Sequence, residues 1–131
     1  MCIFCQIISG ELPSYKIYED EKTLAFLDIK PVNPGHTLVV PKKHYENLET
    51  IPAEELGSLM VAVKKVGALL KDKFGVIGYN INENNDPLAG QLVPHLHFHI
   101  IPRREGDGLK LWPGRDYAAG EAEKIIKKLL A

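Results

Sequence analysis

Between Pro94 and Pro102 polar and apolar side chains alternate: His95, His97 and His99 hold one set of positions, Leu96, Phe98 and Ile100 the other. A period of two belongs to a β-strand, whose successive side chains point to opposite faces. Residues 93–101 are therefore predicted to form a strand. Its three imidazoles share one face, roughly 6.6 Å apart along the row, and its apolar face is turned to a core.

The rest of the chain supplies sheet neighbours and a cover. Lys16–Glu19 and residues 23–28 read as strands around the polar turn Glu19-Asp20-Glu21-Lys22. Residues 36–40 read as a further strand that stops at Pro41, and residues 78–82 as another. Pro31, Asn33, Pro34 and Gly35 mark a loop. The strongest helix signal is Ala53–Phe74, where Leu56, Leu59, Met60, Val63, Val66 and Leu70 recur at helical spacing. Pro52 is placed to open this helix, Glu54 and Glu55 suit the positive end of its dipole, and Gly75 offers a stop. Ile3–Ser9 makes one or two helical turns before Gly10. Residues 103–117 read as irregular. Residues 121–130 form an amphipathic helix, with Ala122, Ile125, Ile126, Leu129 and Leu130 on one side and Lys124, Lys127 and Lys128 mostly on the other. Strands joined by short turns favour antiparallel pairing. The expected class is α+β: a five-stranded antiparallel sheet with one long helix and shorter terminal helices. With no repeat or low-complexity tract, residues 1–131 are expected to form a single domain, with the helix at about 117–130 as an extension.

Charge narrows the functions. A formal net charge of -1 provides no global basic field for nucleic acid, so any bound anion is held locally by a few groups. No apolar run approaches a membrane span, and the N-terminus lacks a basic, signal-like segment. Cytoplasmic location is the expectation.

Three readings of the histidine row stand on the residues alone: a solvated strand face without chemistry, a metal site made by the triad itself, and a catalytic site. In the third, one neutral imidazole attacks while another hydrogen-bonds the group under attack. Histidine suits this, since its ordinary pKa of about 6.5 leaves a neutral fraction at cellular pH. Phosphorus is a natural target, because an imidazole–phosphate adduct is reactive enough to be hydrolysed again. The preceding loop favours a phosphate: Gly90 allows close backbone approach, and Asn84, Asn85 and Gln91 carry amide donors.

The stretch Ala89-Gly90-Gln91-Leu92-Val93-Pro94-His95-Leu96-His97-Phe98-His99-Ile100-Ile101-Pro102-Arg103 resembles the signature of the histidine triad nucleotide-binding family. Ile3-Phe4-Cys5-Gln6-Ile7-Ile8 with Glu11-Leu12-Pro13, then Leu24-Ala25-Phe26-Leu27-Asp28-Ile29, then Pro34 to His44, extend the likeness over residues 2 to about 103. The resemblance implies the histidine triad fold and a nucleotide hydrolase or nucleotidyl transferase acting at the α-phosphate of purine nucleotide derivatives such as adenosine phosphoramidates. Dinucleoside polyphosphate hydrolysis, or nucleotide binding with little turnover, are the alternatives. It further implies that His97 is the nucleophile, that His99 hydrogen-bonds the α-phosphate, and that His36 lies near the phosphate and leaving group. Asn84 and Gln91 match phosphate-side positions and Asp28 the ribose-binding carboxylate; Ile7, Phe26, Ile29 and Leu38 match the apolar walls of purine and ribose. Relatives of the phosphoramidase type often carry a hydroxyl residue where this chain has Leu92, whose backbone N–H remains a candidate donor. Trp112-Pro113-Gly114 resembles a Trp-Pro segment of that branch, and family members pair as homodimers.

Cys2 and Cys5 form a Cys-x-x-Cys. A redox pair, two free buried thiols and a metal site are the readings of that spacing. Zinc requires two more ligands. The resemblance to Cys-x-x-Cys members of the family implies His44 and His95, a closed four-ligand structural zinc, and leaves His97 and His99 for phosphate.

Overall fold

The computed structural model describes residues 2–131; Met1 lies outside the described residues. Helix α1 spans Ile3–Ser9 and strands β1 and β2 span Lys16–Glu19 and Thr23–Leu27. Strand β3 covers Thr37–Pro41, helix α2 Ala53–Phe74, strands β4 and β5 Gly78–Glu83 and Phe98–Arg103, and helix α3 Glu121–Leu129. The five strands form one antiparallel sheet in the order β1-β2-β3-β5-β4, as the expected α+β class requires.

Two layers cover the sheet. On one face Leu59, Ala62, Val63, Val66 and Leu70 of α2 pack on Ala25, Val39, Leu96, Phe98 and Ile100. On the other, Phe4 of α1 seals Leu24, Phe26, Leu38 and Val40. Strands β2 and β3 are thus covered on both sides, which explains their unbroken apolar runs, whereas β5 alternates in burial as in sequence. Helix α2 has Pro52 at its N-cap, Glu54 and Glu55 in its first turn, Lys71 and Lys73 in its last, and Gly75 left-handed after it. Inside α2, Gly67 lets the Tyr79 phenol of β4 lie where a Cβ would stand.

Two expectations change. Strand β5 begins at Phe98, not at residue 93. Pro94 has no N–H to give a ladder, the His95 N–H bonds the Val93 carbonyl at 2.8 Å, and the Leu96 N–H bonds Tyr45 at 2.7 Å, outside the sheet. Only His99 of the triad therefore lies within a strand. His36 ends the loop before β3, its N–H bonded to the Asn33 carbonyl. Helix α3 buries no residue, so packing on its own sheet is ruled out. Among the described residues no helix is long and apolar enough to cross a membrane.

Candidate active site and metal centre

The segment before β5 splits the triad. His95 turns into the protein toward the start of α1, while His97 and His99 stay together, ring centroids 5.0 Å apart. A metal site made by the three imidazoles alone is not formed among the described residues: His95 groups with Cys2, Cys5 and His44, His99 groups with Asp28 and His36, and His97 joins neither set.

Cys2 caps α1 and Cys5 lies in its first turn; His44 follows β3, and His95 is fully buried. Their four ligand atoms fall within 4.8 Å of one another. Cys2 Sγ and Cys5 Sγ stand 3.4 and 3.6 Å from His95 Nδ1. His44 Nδ1 is 3.4 Å from Cys5 Sγ and 3.1 Å from His95 Nδ1. A tetrahedral zinc with bonds of about 2.0–2.3 Å holds its ligands roughly 3.3–3.8 Å apart, so the donor set and its spacing fit that ion. The surroundings fit as well. His95 donates Nε2–H to the Pro41 carbonyl at 2.9 Å, which leaves the Nδ1 lone pair facing the cluster, and the Cys5 N–H donates to Cys2 Sγ at 3.4 Å.

Backbone partners fix the protons of the other rings. A carbonyl only accepts, so His97 carries its proton on Nδ1 and keeps a lone pair on Nε2. The Val32 N–H donates to His36 Nδ1 at 3.0 Å, so His36 carries its proton on Nε2. That Nε2–H points at His99 Nδ1, 2.9 Å away, and His99 in turn keeps its proton on Nε2. The pair left for chemistry is a lone pair on His97 and an N–H on His99. Burial holds His36, His97 and His99 below the usual imidazole range. His99 falls furthest, to about 4, because His97 and His36 add repulsion to its burial. All three rings are neutral at pH 7.

Asp28 follows β2. Its Oδ1 accepts the Lys30 N–H at 2.9 Å, and its Oδ2 is 3.7 Å from His36 Nε2. Asp28, His36 and His99 also lie within 4.8 Å of one another. The proton on His36 Nε2 makes that atom a donor, which is unsuited to a metal bond.

The other predicted site residues fare differently. Phe26 and Leu38 sit under the site, with Ile7 against them, but Ile29 is 79% exposed and outside that cluster. Phe4 meets the His97 ring edge-on at 5.1 Å. Asn84 rests beside Gly90, whose φ is +95°, and its side chain makes no hydrogen bond among the described residues. Leu92 is exposed. Gln91 departs from expectation, because its amide is committed to the loop. Its Oε1 accepts the Asp86 N–H at 2.8 Å, and its Nε2 donates to Glu46 and Val93 carbonyls at 2.7 and 3.2 Å. The clamp holds Asp86 at φ 74°, ψ 152°, a region almost reserved for glycine. His36, expected near the leaving group, is 3% exposed and stands behind His99. Sequence reasoning passed over Val32, Asp86 and Asp107. Each acts through a backbone group or a single turn, which leaves no periodic signal.

A family model described as the HIT domain matches residues 9–106. The chain is 42% identical to the adenosine 5'-monophosphoramidase HNT1 of Candida albicans, over 98% of this chain and 88% of that protein. It superposes on the crystal structure of a HIT family protein from Bacillus subtilis with a TM-score of 0.88 and 45% identity, covering 98% and 94% of the two chains. A zinc-bound histidine triad family protein from Mycobacterium smegmatis matches with a TM-score of 0.79 and 37% identity, over 98% and 92%.

Proposed function

The chain belongs to the HIT domain family, and on that premise we propose that it hydrolyses purine nucleotide derivatives of the adenosine phosphoramidate kind through a nucleotidyl–His97 intermediate. The His97 Nε2 lone pair attacks the α-phosphorus. The phosphorus–nitrogen bond to the leaving group breaks, the amine takes a proton from solvent as it departs, and the nucleotide is left on the imidazole; the water of the second step returns a proton to solvent. Water then attacks the same phosphorus, which releases the nucleoside monophosphate and restores His97. His99 donates Nε2–H to a non-bridging phosphate oxygen, where negative charge builds. Asp28 accepts from the ribose hydroxyls, Ile7, Phe26 and Leu38 form the apolar floor, and the Asn84 amide faces the phosphate. His36 acts through His99.

The observation that carries this reading is the His97 Nδ1 bond to the His95 carbonyl at 2.8 Å, which leaves the opposite nitrogen as a nucleophile beside a fixed donor. The experiment is hydrolysis of an adenosine phosphoramidate by wild type and His97→Ala. Turnover is abolished while affinity for adenosine monophosphate stays within about tenfold. Full activity in His97→Ala removes the reading.

Zinc is the metal that Cys2, Cys5, His44 and His95 suit, with four protein ligands and no open position. There it would tie α1, with Phe4 and Ile7, to the sheet.

We read residues 1–131 as one domain with the α3 helix as an appendage, and the cytoplasm as its location. A second copy of the chain is the proposed cover for α3, which exposes Ile126, Leu129 and Leu130. A nine-residue helix is marginal without a surface to pack on.

A further inference from the structure

The loop that supplies the Val32 amide and His36 is fastened to the far end of β5. Asn33 is buried, and its Nδ2 donates to the Pro102 carbonyl at 2.9 Å and to Asp107 Oδ2 at 3.2 Å. Its own carbonyl accepts the His36 N–H at 3.0 Å. Two residues on, Gly35 has φ +90°, and a Cβ there would lie 3.1 Å from the Phe74 ring and 3.2 Å from Pro102, so a side chain at this position is excluded by both backbone and packing.

Asp107 is the anchor of this arrangement. Its side chain is 4% exposed. Besides Asn33, its oxygens accept Arg103 Nε at 2.9 Å, Arg103 Nη2 at 3.1 Å, the Arg104 N–H at 3.1 Å and the Leu109 N–H at 3.0 Å. The Arg103 guanidinium, with these backbone donors, holds the carboxyl well below the usual carboxylate range. Arg103 also donates to Asn80 Oδ1 at 3.0 Å and the Leu109 carbonyl at 3.0 Å, which joins β4, β5 and the segment after β5 in one network.

We propose that Asp107 is a positioning residue for the reaction. Through Asn33 it sets the 32–36 turn so that the Val32 N–H meets His36 Nδ1, and that contact dictates which nitrogen of His99 carries the proton. Displacing the turn frees His36 to adopt the other tautomer. His99 Nδ1 then loses its donor, and the N–H aimed at phosphate is no longer guaranteed. The proposal rests on His97 and His99 acting as stated under Proposed function.

The test compares wild type, Asp107→Asn and Asn33→Ala, all 15N-labelled. The readouts are long-range proton–nitrogen spectra of the histidine rings and steady-state kinetics with an adenosine phosphoramidate. In wild type His36 and His99 both show the Nε2–H tautomer. In the variants His99 becomes a mixture, and kcat falls about tenfold while KM stays within about twofold. Wild-type kcat with an unchanged His99 signature overturns the proposal, even where melting temperature drops, since that is a purely structural role. A wild-type His99 carrying its proton on Nδ1 overturns it without any variant. If Asp107→Asn does not fold, Asn33→Ala, which removes one donor of five, decides. Turnover surviving in His97→Ala sinks the nucleophile assignment but leaves the tautomer result standing, so the two failures are told apart.

Discussion

His95 faces two ways: its Nδ1 stands 3.4 Å from Cys2 Sγ, while its carbonyl, 2.8 Å from His97 Nδ1, sets the neighbouring ring's tautomer. The cluster proposed to hold zinc and the ring proposed to react therefore share one residue but use different parts of it. A zinc held by this cluster would tie α1 and the His95 side chain, not the carbonyl bond, so its loss would loosen those first.

Cys5→Ala accordingly lowers zinc content and stability more than chemistry. Loss of about 3 kcal/mol lowers the melting temperature by roughly 10 °C in a chain of this size. At temperatures well below the transition kcat stays within about threefold of wild type. Metal analysis, thermal melting and kinetics on one preparation check this. If a chelator stops catalysis while the protein stays folded, zinc is part of the chemistry.

Acid weakens the fold through His99. Its pKa is about 4 folded and ordinarily 6.5, so between these values the unfolded chain binds more protons than the folded one. The stability due to the neutral ring is complete above about pH 6.5 and lost as pH falls toward 4. Denaturant titrations across this window show a shallower pH dependence for His99→Gln than for wild type. The comparison cancels acid release of metal, common to both proteins. Equal slopes contradict the assignment.

Asp28→Ala weakens nucleoside binding without removing the nucleophile. Hydrogen bonds to a charged group are worth about 1.5–3 kcal/mol, so affinity for adenosine monophosphate drops on the order of 10- to 100-fold. Calorimetric titration measures it, and an unchanged dissociation constant refutes the ribose role.

The strain at Asp86 gives a test of opposite sign. Asp86→Gly relieves a conformation that costs a non-glycine residue about 1–3 kcal/mol and raises the denaturation midpoint. Gln91→Ala, which removes the clamp, lowers it. A destabilised Asp86→Gly shows that the carboxylate itself, and not the Gln91 clamp, holds the loop.

The scaffold was largely legible because it follows periodicity. Ala53–Phe74 announces itself through its apolar stripe and end residues, and strands β2 and β3 through apolar runs bounded by turns. What misled was the same period of two that identified β5. Alternation places three imidazoles on one face, but Pro94 and the Tyr45 carbonyl take residues 93–97 out of the ladder and send His95 toward Cys2 and Cys5. Gln91 carries amide donors in any reading of its composition; only the fold reveals that Asp86, Glu46 and Val93 consume them. Asn33 read as a turn residue, and its tie to Asp107 spans 74 positions that no local pattern connects.

The most direct measurement is rapid-quench mass spectrometry during turnover of an adenosine phosphoramidate, with peptide mapping of any adduct. An adenylyl group on His97, formed and lost at rates that match turnover, is the predicted result. A quench that traps the nucleotide on another residue, or finds none while product forms in a burst, contradicts it.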